Sequence, residues 1–166
     1  MISGVCKILP LRTPVRANNA VNSRTNPMRN QYRYFLSMPT RWKDNDVFGH
    51  INNVEYYSFI DTIITSFLIC EGGFDIHRGP IVAVCAESHC RYKQAIAFPE
   101  TVDAGLRVVH IGRTSVRYEI GLFRQGSQEA AAEAWFVHVF VSREERKPQP
   151  LPESLRLALQ SIAVLE

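Results

Sequence analysis

The chain has 166 residues, of which 46% are hydrophobic and 21% are charged, as expected for one globular domain with a buried core. Residues 1–43 hold eight basic and no acidic residues, whereas 44–166 hold eleven basic and sixteen acidic ones. The body is therefore mildly acidic, which argues against a nucleic-acid surface. No apolar run approaches the roughly 18 residues that a membrane span needs, so we expect no membrane partner.

The N-terminal segment over 1–30 shows no apolar periodicity and is rich in Arg, Asn, Pro and Ser. We expect a flexible extension here and a cytoplasmic protein. The alternative is a mitochondrial transit peptide, because the segment contains arginine and lacks acidic residues. Prolines interrupt any amphipathic helix in it, and they lie at Pro10, Pro14 and Pro27.

The next segments predict one strand and one long helix. Residues 31–38 alternate aromatic and polar side chains, which indicates a strand ended by Pro39. A loop over 40–51 follows. Helical spacing then begins, and it ends at Gly72-Gly73, where left-handed residues terminate helices. Asn52 with Glu55 three residues later fits a capping box, so we place the N-cap at Asn52.

Four consecutive strands are predicted after the helix, over 80–97, 101–111, 114–123 and 129–142, with turn residues between them. A short amphipathic helix over 148–166 should pack on the domain formed by 31–147. This order of elements excludes a doubly wound fold, which would alternate strands and helices. It favours an antiparallel sheet curled around the long helix. Such a sheet leaves an edge that dimerisation could cover.

The loop before the helix concentrates the chemistry. Asp46 and His50 lie just ahead of the predicted helix start, in a segment that Gly49 allows to bend. The main-chain amides of Asn53 and Val54 should be unsatisfied donors at the positive end of the helix dipole. An acid beside such donors suits acyl-transfer chemistry, because the amides can polarise a carbonyl or hold an oxyanion.

The pattern Asp46-x-x-x-His50-Ile51-Asn52-Asn53-x-x-Tyr56 resembles the active-site segment of hotdog-fold acyl-CoA thioesterases. This group includes 4-hydroxybenzoyl-CoA thioesterase and bacterial long-chain acyl-CoA thioesterases. The likeness extends over about 32–145, but only 46–57 is specific. It implies an α+β hotdog fold, hydrolysis of acyl-CoA, no metal or redox cofactor, and a homodimer or homotetramer.

The resemblance also implies a role for each site residue. The acid that matches Asp46 attacks the thioester carbonyl or activates water, the Asn53 amide polarises the carbonyl, and His50 serves as a base or as a hydrogen-bond donor. The acyl tail would follow the long helix past Ile60, Ile63 and Phe67. A basic turn of related enzymes that holds coenzyme A phosphates matches Arg113, Thr114 and Ser115, although an ordinary solvated turn explains these residues equally well.

Several alternatives stay open at this point. Asp44 and Asp46 could merely shape the loop as Asx-turn residues, and Asp61 on the helix is a rival acid, which we interpret as structural. The spacing of Asp44, Asp46 and Glu55 imitates a calcium-binding loop, but Phe48 stands where an oxygen ligand belongs. A hotdog hydratase or dehydratase and a catalytically silent acyl-binding module are the competing functions.

Overall fold

The computed structural model describes residues 27–164. Most of the expected extension, and with it the transit-peptide alternative, lies outside the described residues. The elements are two short 3-10 helices, five strands and two α-helices. In chain order they are Arg29–Gln31 (3-10), β1 Tyr34–Pro39, Trp42–Asp44 (3-10), α1 Asn53–Cys70, β2 Ile81–Tyr92, β3 Thr101–Ile111, β4 Ser115–Arg124, β5 Ala132–Ser142 and α2 Glu153–Ser161. No helix within 27–164 is long and apolar enough to cross a bilayer.

The five strands form one antiparallel sheet with the order β1-β3-β4-β5-β2. This arrangement, with α1 packed against one face, confirms the predicted hotdog architecture. The two edges of the sheet are β1, with six residues, and β2, with twelve. Along β2 the pairing with β5 shifts register between Cys85 and Glu87. Because β2 is the last strand of the sheet, its outer side has no strand partner within residues 27–164 and presents a long open edge.

The main core lies between α1 and the sheet. Because apolar residues recur at helical spacing, α1 buries one stripe, and inward-facing residues of the strands meet it. The largest fully buried side chains of this layer include Ile60, Ile63, Ile64, Phe67, Leu106, Tyr118, Ile120 and Phe140. The helix ends as expected, since Gly73 has a φ of +60° and the N–H of Phe74 donates to the carbonyl of Leu68 at 2.9 Å.

His138 of β5 also faces this core. Its ring packs edge-on against those of Phe136 and Tyr118, with centroid separations of 4.9 and 5.7 Å. Burial lowers the pKa of His138 to about 4, so its imidazole is neutral at pH 7. We interpret His138 as a core residue without a part in the chemistry.

The opposite face of the sheet carries a second, smaller core of Tyr32, Phe123 and Ala130. The segment before β1 crosses this face and is held by Arg29, which pairs with Asp103 at 2.9 Å and lies over the Phe35 ring at 4.6 Å. Residues 28–30 therefore pack on the domain, a few residues earlier than the expected boundary at 31.

The element boundaries differ modestly from those predicted. The first strand runs over Tyr34–Pro39, because residues 29–31 form a 3-10 turn instead of extending it. The second strand stops at Tyr92 rather than at 97. Beyond Tyr92 the chain leaves the edge, and the N–H groups of Lys93 and Gln94 both donate to the carbonyl of Ala131.

Two glycines make room for Tyr32. Gly105 and Gly121 are cross-strand partners, and a Cβ atom at Gly121 would lie 2.7 Å from both the Tyr32 and the Phe123 rings. We expect Gly121→Ala to lower the free energy of unfolding by about 1–3 kcal/mol, because overpacking forces the ring out of its seat. Chemical denaturation measures this loss. In a Tyr32→Ala background the penalty should shrink, and an unchanged penalty would show that Tyr32 is not the clashing group.

Candidate active site

The loop before α1 is built around Asp44, whose side chain is fully buried. Its carboxylate accepts the main-chain N–H of Arg41 at 2.7 Å and the Arg41 Nε–H at 3.0 Å. Its carbonyl accepts the N–H of Asn52 at 2.8 Å. Asp44 therefore ties the end of β1 to the start of α1 and has no oxygen free for chemistry, in line with its interpretation as a loop-shaping residue.

Asp46 lies two residues further on, at the mouth of the loop. One carboxylate oxygen accepts the N–H of Phe48 at 2.8 Å, which is an Asx-turn. The Asp46 N–H donates to the His50 carbonyl at 2.9 Å, and Gly49 permits the reversal with a φ of +84°. The Asp46 side chain remains 17% exposed. Within residues 27–164 its second oxygen has no main-chain partner, and the partly exposed side chain can be reached from solvent.

The imidazole of His50 lies beside that second oxygen. Its Nδ1 lies 3.7 Å from Asp46 Oδ2, and the side chain is 47% exposed. This separation is longer than a hydrogen bond, but contacts of this kind often shorten when a substrate is bound. His50 can therefore orient a group beside Asp46 or donate a hydrogen bond to it.

The helix begins as predicted, with Asn52 as its N-cap. However, the Asn52 side chain accepts the N–H of Val54 at 3.1 Å, so the expectation of two free amides is wrong for Val54. Within residues 27–164 no acceptor meets the N–H of Asn53. The predicted capping box is also incomplete. The Glu55 carboxylate lies 3.3 Å from the Arg41 guanidinium instead of accepting the main-chain N–H of Asn52.

Two residues that sequence analysis missed support this helix end. Arg41 bridges Asp44 and Glu55, and its position three residues before Asp44 was the available signal. Tyr92, at the end of β2, donates from its hydroxyl to the Asn53 carbonyl at 3.4 Å. Burial, followed by the neighbouring Cys90, raises the pKa of Tyr92 to about 12, so it stays a donor. Tyr92 lies 39 residues from Asn53, and no local pattern connects them.

An open cleft of about 420 Å³ lies beside the loop, lined by Trp42, Lys43, Asn45, Asp46, Val47 and Gly49. Its rim carries exposed apolar side chains, since Trp42 and Val47 are 79% and 94% exposed. The Trp42 ring also meets Phe98 edge-on at 5.9 Å. Apolar side chains around a reachable carboxylate are typical of a site that binds a substrate with apolar parts.

The predicted phosphate-binding turn is not part of this cleft. Arg113, Thr114 and Ser115 connect β3 to β4, whereas the Asp46 loop contacts 95–100, just before β3 begins. An 11-residue strand spans about 35 Å, so the two sites lie at opposite ends of the sheet. Arg113 is exposed, and its carbonyl accepts the N–H of Leu151 near the start of α2.

Two further expectations can be compared with the structure. Ile60, Ile63 and Phe67, proposed to line the acyl tail, are at most 1% exposed and pack against the sheet, so this path is wrong within one chain. Asp61 lies on the exposed side of α1, where partial burial raises the pKa of its carboxyl.

No group of three or more His, Cys, Asp or Glu side chains within 27–164 could hold a metal ion.

The fold and the loop before α1 define a thioesterase-like protein. The family model of the Thioesterase-like superfamily matches residues 40–159, and the chain belongs to this superfamily. Among solved structures, the PA5185 protein of Pseudomonas aeruginosa strain PAO1 is 45% identical, with a TM-score of 0.82 over 84% of this chain and 97% of that protein. The resemblance stated from the sequence is thereby confirmed.

More distant structures carry activity names. The PA2801 protein of Pseudomonas aeruginosa, a proposed thioesterase, is 26% identical, with a TM-score of 0.72 over 75% of this chain and 96% of that protein. The Slr0204 protein of Synechocystis, a 1,4-dihydroxy-2-naphthoyl-CoA thioesterase, is 14% identical, with a TM-score of 0.70 over 76% of this chain and 95% of that protein. The latter similarity shows the fold alone. No curated protein gives a significant match.

The contrasting surroundings of Asp44 and Asp46 predict contrasting variants. Asp44→Asn should lower the free energy of unfolding by about 2–3 kcal/mol, because a buried charged acceptor is lost from hydrogen bonds to Arg41. Asp46→Asn should change stability by less than about 1 kcal/mol, because a partly exposed amide oxygen can still accept from Phe48. Urea denaturation of both variants measures this. Equal losses would contradict the division of roles between the two acids.

Proposed function

We propose that this protein hydrolyses acyl-CoA thioesters to the free carboxylic acid and coenzyme A. The observation that supports this most strongly is the pairing of a fixed, reachable carboxylate, Asp46, with a helix N-terminal amide, Asn53 N–H, that has no acceptor among residues 27–164. Membership of the Thioesterase-like superfamily supports the reaction class. The choice of coenzyme A as the carrier is the finer step that this proposal adds.

The proposed chemistry needs only side chains and main chain. The thioester carbonyl oxygen accepts from the Asn53 N–H, and the α1 dipole stabilises the negative charge that develops on it. The Asp46 carboxylate either attacks the carbonyl carbon or removes a proton from the water that attacks it. The carbon–sulfur bond breaks, and coenzyme A leaves as a thiolate that takes up a proton. Where Asp46 is the nucleophile, water then hydrolyses the acyl–Asp46 anhydride, which releases the acid and restores the carboxylate. Where Asp46 is the base, the attacking water supplies the new oxygen of the acid directly. His50 is the group placed to assist with the proton.

The chain should act as a homodimer, or as a tetramer built from such dimers, because one subunit leaves the site incomplete. The cleft beside Asp46 is open on its outer side, and the unpaired edge of β2 ends at Tyr92, which contacts the carbonyl of Asn53. A copy of β2 pairing along this edge would satisfy its main-chain donors and acceptors. The second copy would also cover the cleft beside Asp46, on the side where α1 begins.

Coenzyme A phosphates are the proposed ligand of Arg113, Thr114 and Ser115. Since this turn lies at the far end of its own sheet, it can serve only the site of a partner subunit. An exposed guanidinium flanked by two hydroxyl side chains is suited to phosphate oxygens. The described contacts leave the Arg113 side chain facing solvent, so it is free to reach such a ligand.

Replacement of Asp46 tests the function. Asp46→Asn should fold normally and lose at least about 100-fold in kcat, because the group that attacks or activates water is gone. Thiol release from a panel of acyl-CoAs of different length and head group measures the loss. Wild-type turnover in the variant would remove Asp46 from the mechanism, and Asp61→Asn would be examined next. Wild-type protein that releases no thiol from any thioester would refute hydrolysis and favour a hydratase or a silent acyl-binding module.

Replacement of Arg113 tests the coenzyme A site. Arg113→Ala should raise KM for acyl-CoA about 5- to 20-fold, by loss of a charged hydrogen bond to phosphate. The same acyl group on N-acetylcysteamine, which has no phosphate, should be hydrolysed with unchanged KM. Arg33→Ala is the matched control, because Arg33 is also exposed and lies outside the turn. Equal changes with both thioesters would show that Arg113 acts on structure instead.

A further inference from the structure

A partly open cavity lies far from Asp46, between the end of α1, the segment 72–80 and the start of α2. Its volume is about 200 Å³, and its walls are mostly apolar, including Phe74, Ile81 and Leu155. Asp75 is the charged lining residue. Its carboxylate accepts the N–H groups of His77 and Arg78 at 2.9 Å, and these bonds hold its pKa below the usual value. Such a cavity suits an uncharged apolar group.

The cavity cannot serve the catalytic residues of its own chain. The Asn53 N–H is at the first residue of α1, whereas Gly72 of the cavity follows the last one. A helix of 18 residues is about 27 Å long. The fully buried side chains along α1 fill the space between the two ends, so no route through the subunit joins them.

A two-fold pairing through β2 brings the two ends together. If both α1 helices are to stay on one face of a continuous sheet, the two-fold axis must be perpendicular to that sheet, which makes the pairing antiparallel. The exposed stretch of β2 is centred near Glu87. With the axis there, Val82 of the partner subunit comes opposite Tyr92, which places Ile81 of the partner subunit one residue away. Since Ile81 lines the cavity and Tyr92 contacts Asn53, the partner's cavity adjoins the carbonyl-binding amide.

We propose that this cavity receives the far end of the acyl chain of a thioester whose carbonyl is bound at Asn53 of the partner subunit. The inference rests on the proposed function and adds a substrate class to it. An apolar cavity of about 150 Å³ can hold a benzene molecule, so this one has room for roughly eight carbon atoms. The preferred substrates are therefore thioesters of medium-length aliphatic acids without a charged end, since Asp75 disfavours a terminal carboxylate.

Filling the cavity is the direct test. Ser154 lines it and is exposed, so Ser154→Phe can place an apolar ring in the cavity without disturbing the core. We expect kcat/KM for octanoyl- and decanoyl-CoA to fall at least 10-fold, while that for acetyl- and propionyl-CoA stays within twofold. Ser161→Phe is the matched control, with the same substitution on an exposed position of the same helix, and it should leave all four substrates unchanged.

Mixed dimers show in which subunit the cavity works. Subunits with Asp46→Asn and Ser154→Phe are co-expressed with different affinity tags, and the heterodimer is purified through both. If the cavity acts across the interface, one site carries both changes and the other carries none, so decanoyl-CoA hydrolysis should recover to about half of the wild-type rate. If the cavity acts within its own subunit, neither site is intact and hydrolysis should stay low.

The possible results are distinct. A uniform loss over all chain lengths with Ser154→Phe, a loss equal to that of Ser161→Phe, or no loss at all would overturn the cavity assignment. Absence of recovery in the heterodimer would overturn the arrangement across the interface. If Ser154→Phe fails to fold, Ser154→Leu fills part of the cavity with a smaller side chain and is subject to the same criteria. Failure of the proposed function itself would differ from all of these, because the wild-type protein would then release no thiol.

Discussion

The buried carboxylate of Asp44 is the constraint on which the site depends. The carboxylate accepts hydrogen bonds from the main-chain N–H and the side chain of Arg41. The main-chain carbonyl of Asp44 accepts the N–H of Asn52. The loop that carries Asp46 is thus fastened at both ends, to Arg41 just after β1 and to Asn52, the N-cap of α1. A charged group without solvent contact would be costly if unpaired. The loop therefore has one favourable arrangement. It carries the partly exposed Asp46 carboxylate just ahead of the Asn53 N–H, which has no acceptor within residues 27–164.

The local parts of this structure could be predicted from the sequence, because their signals are local. Helical spacing, the cap at Asn52 and the left-handed Gly73 fix α1, and alternating side chains with turn residues fix the strands. Asp46 and His50 are only four residues apart, so their proximity was readable as well. The interpretation of Asp44 as a loop-shaping residue agrees with its buried ion pair.

The other features depend on tertiary structure, which sequence spacing does not contain. The contact between Tyr92 and the Asn53 carbonyl joins residues 39 positions apart. Ile60, Ile63 and Phe67 look available for an acyl tail until the sheet closes over them. Arg113 matched a family position, yet the length of β3 separates it from Asp46 in one subunit. The separation of Arg113 from Asp46 has a simple cause. The helix and the sheet are long, so groups at their opposite ends cannot meet within one chain.

The proposed mechanism assigns different tasks to the two ends of the subunit. One end of the subunit carries the groups that we propose for carbonyl chemistry, and the other carries a basic turn and an apolar cavity. Antiparallel pairing along β2 would join unlike ends of two copies, so each site of a dimer would receive its reacting groups from one chain and its binding groups from the other. The long edge of β2, with its central residues exposed, is consistent with such pairing.

The most direct measurement is a crystal structure of the Asp46→Asn protein with octanoyl-CoA. The account predicts the thioester carbonyl oxygen at about 2.9 Å from the Asn53 nitrogen, a usual hydrogen-bond length, with the side chain at position 46 facing the carbonyl carbon. A thioester bound with its carbonyl directed away from the start of α1, while the Asn53 N–H bonds to water, would contradict it.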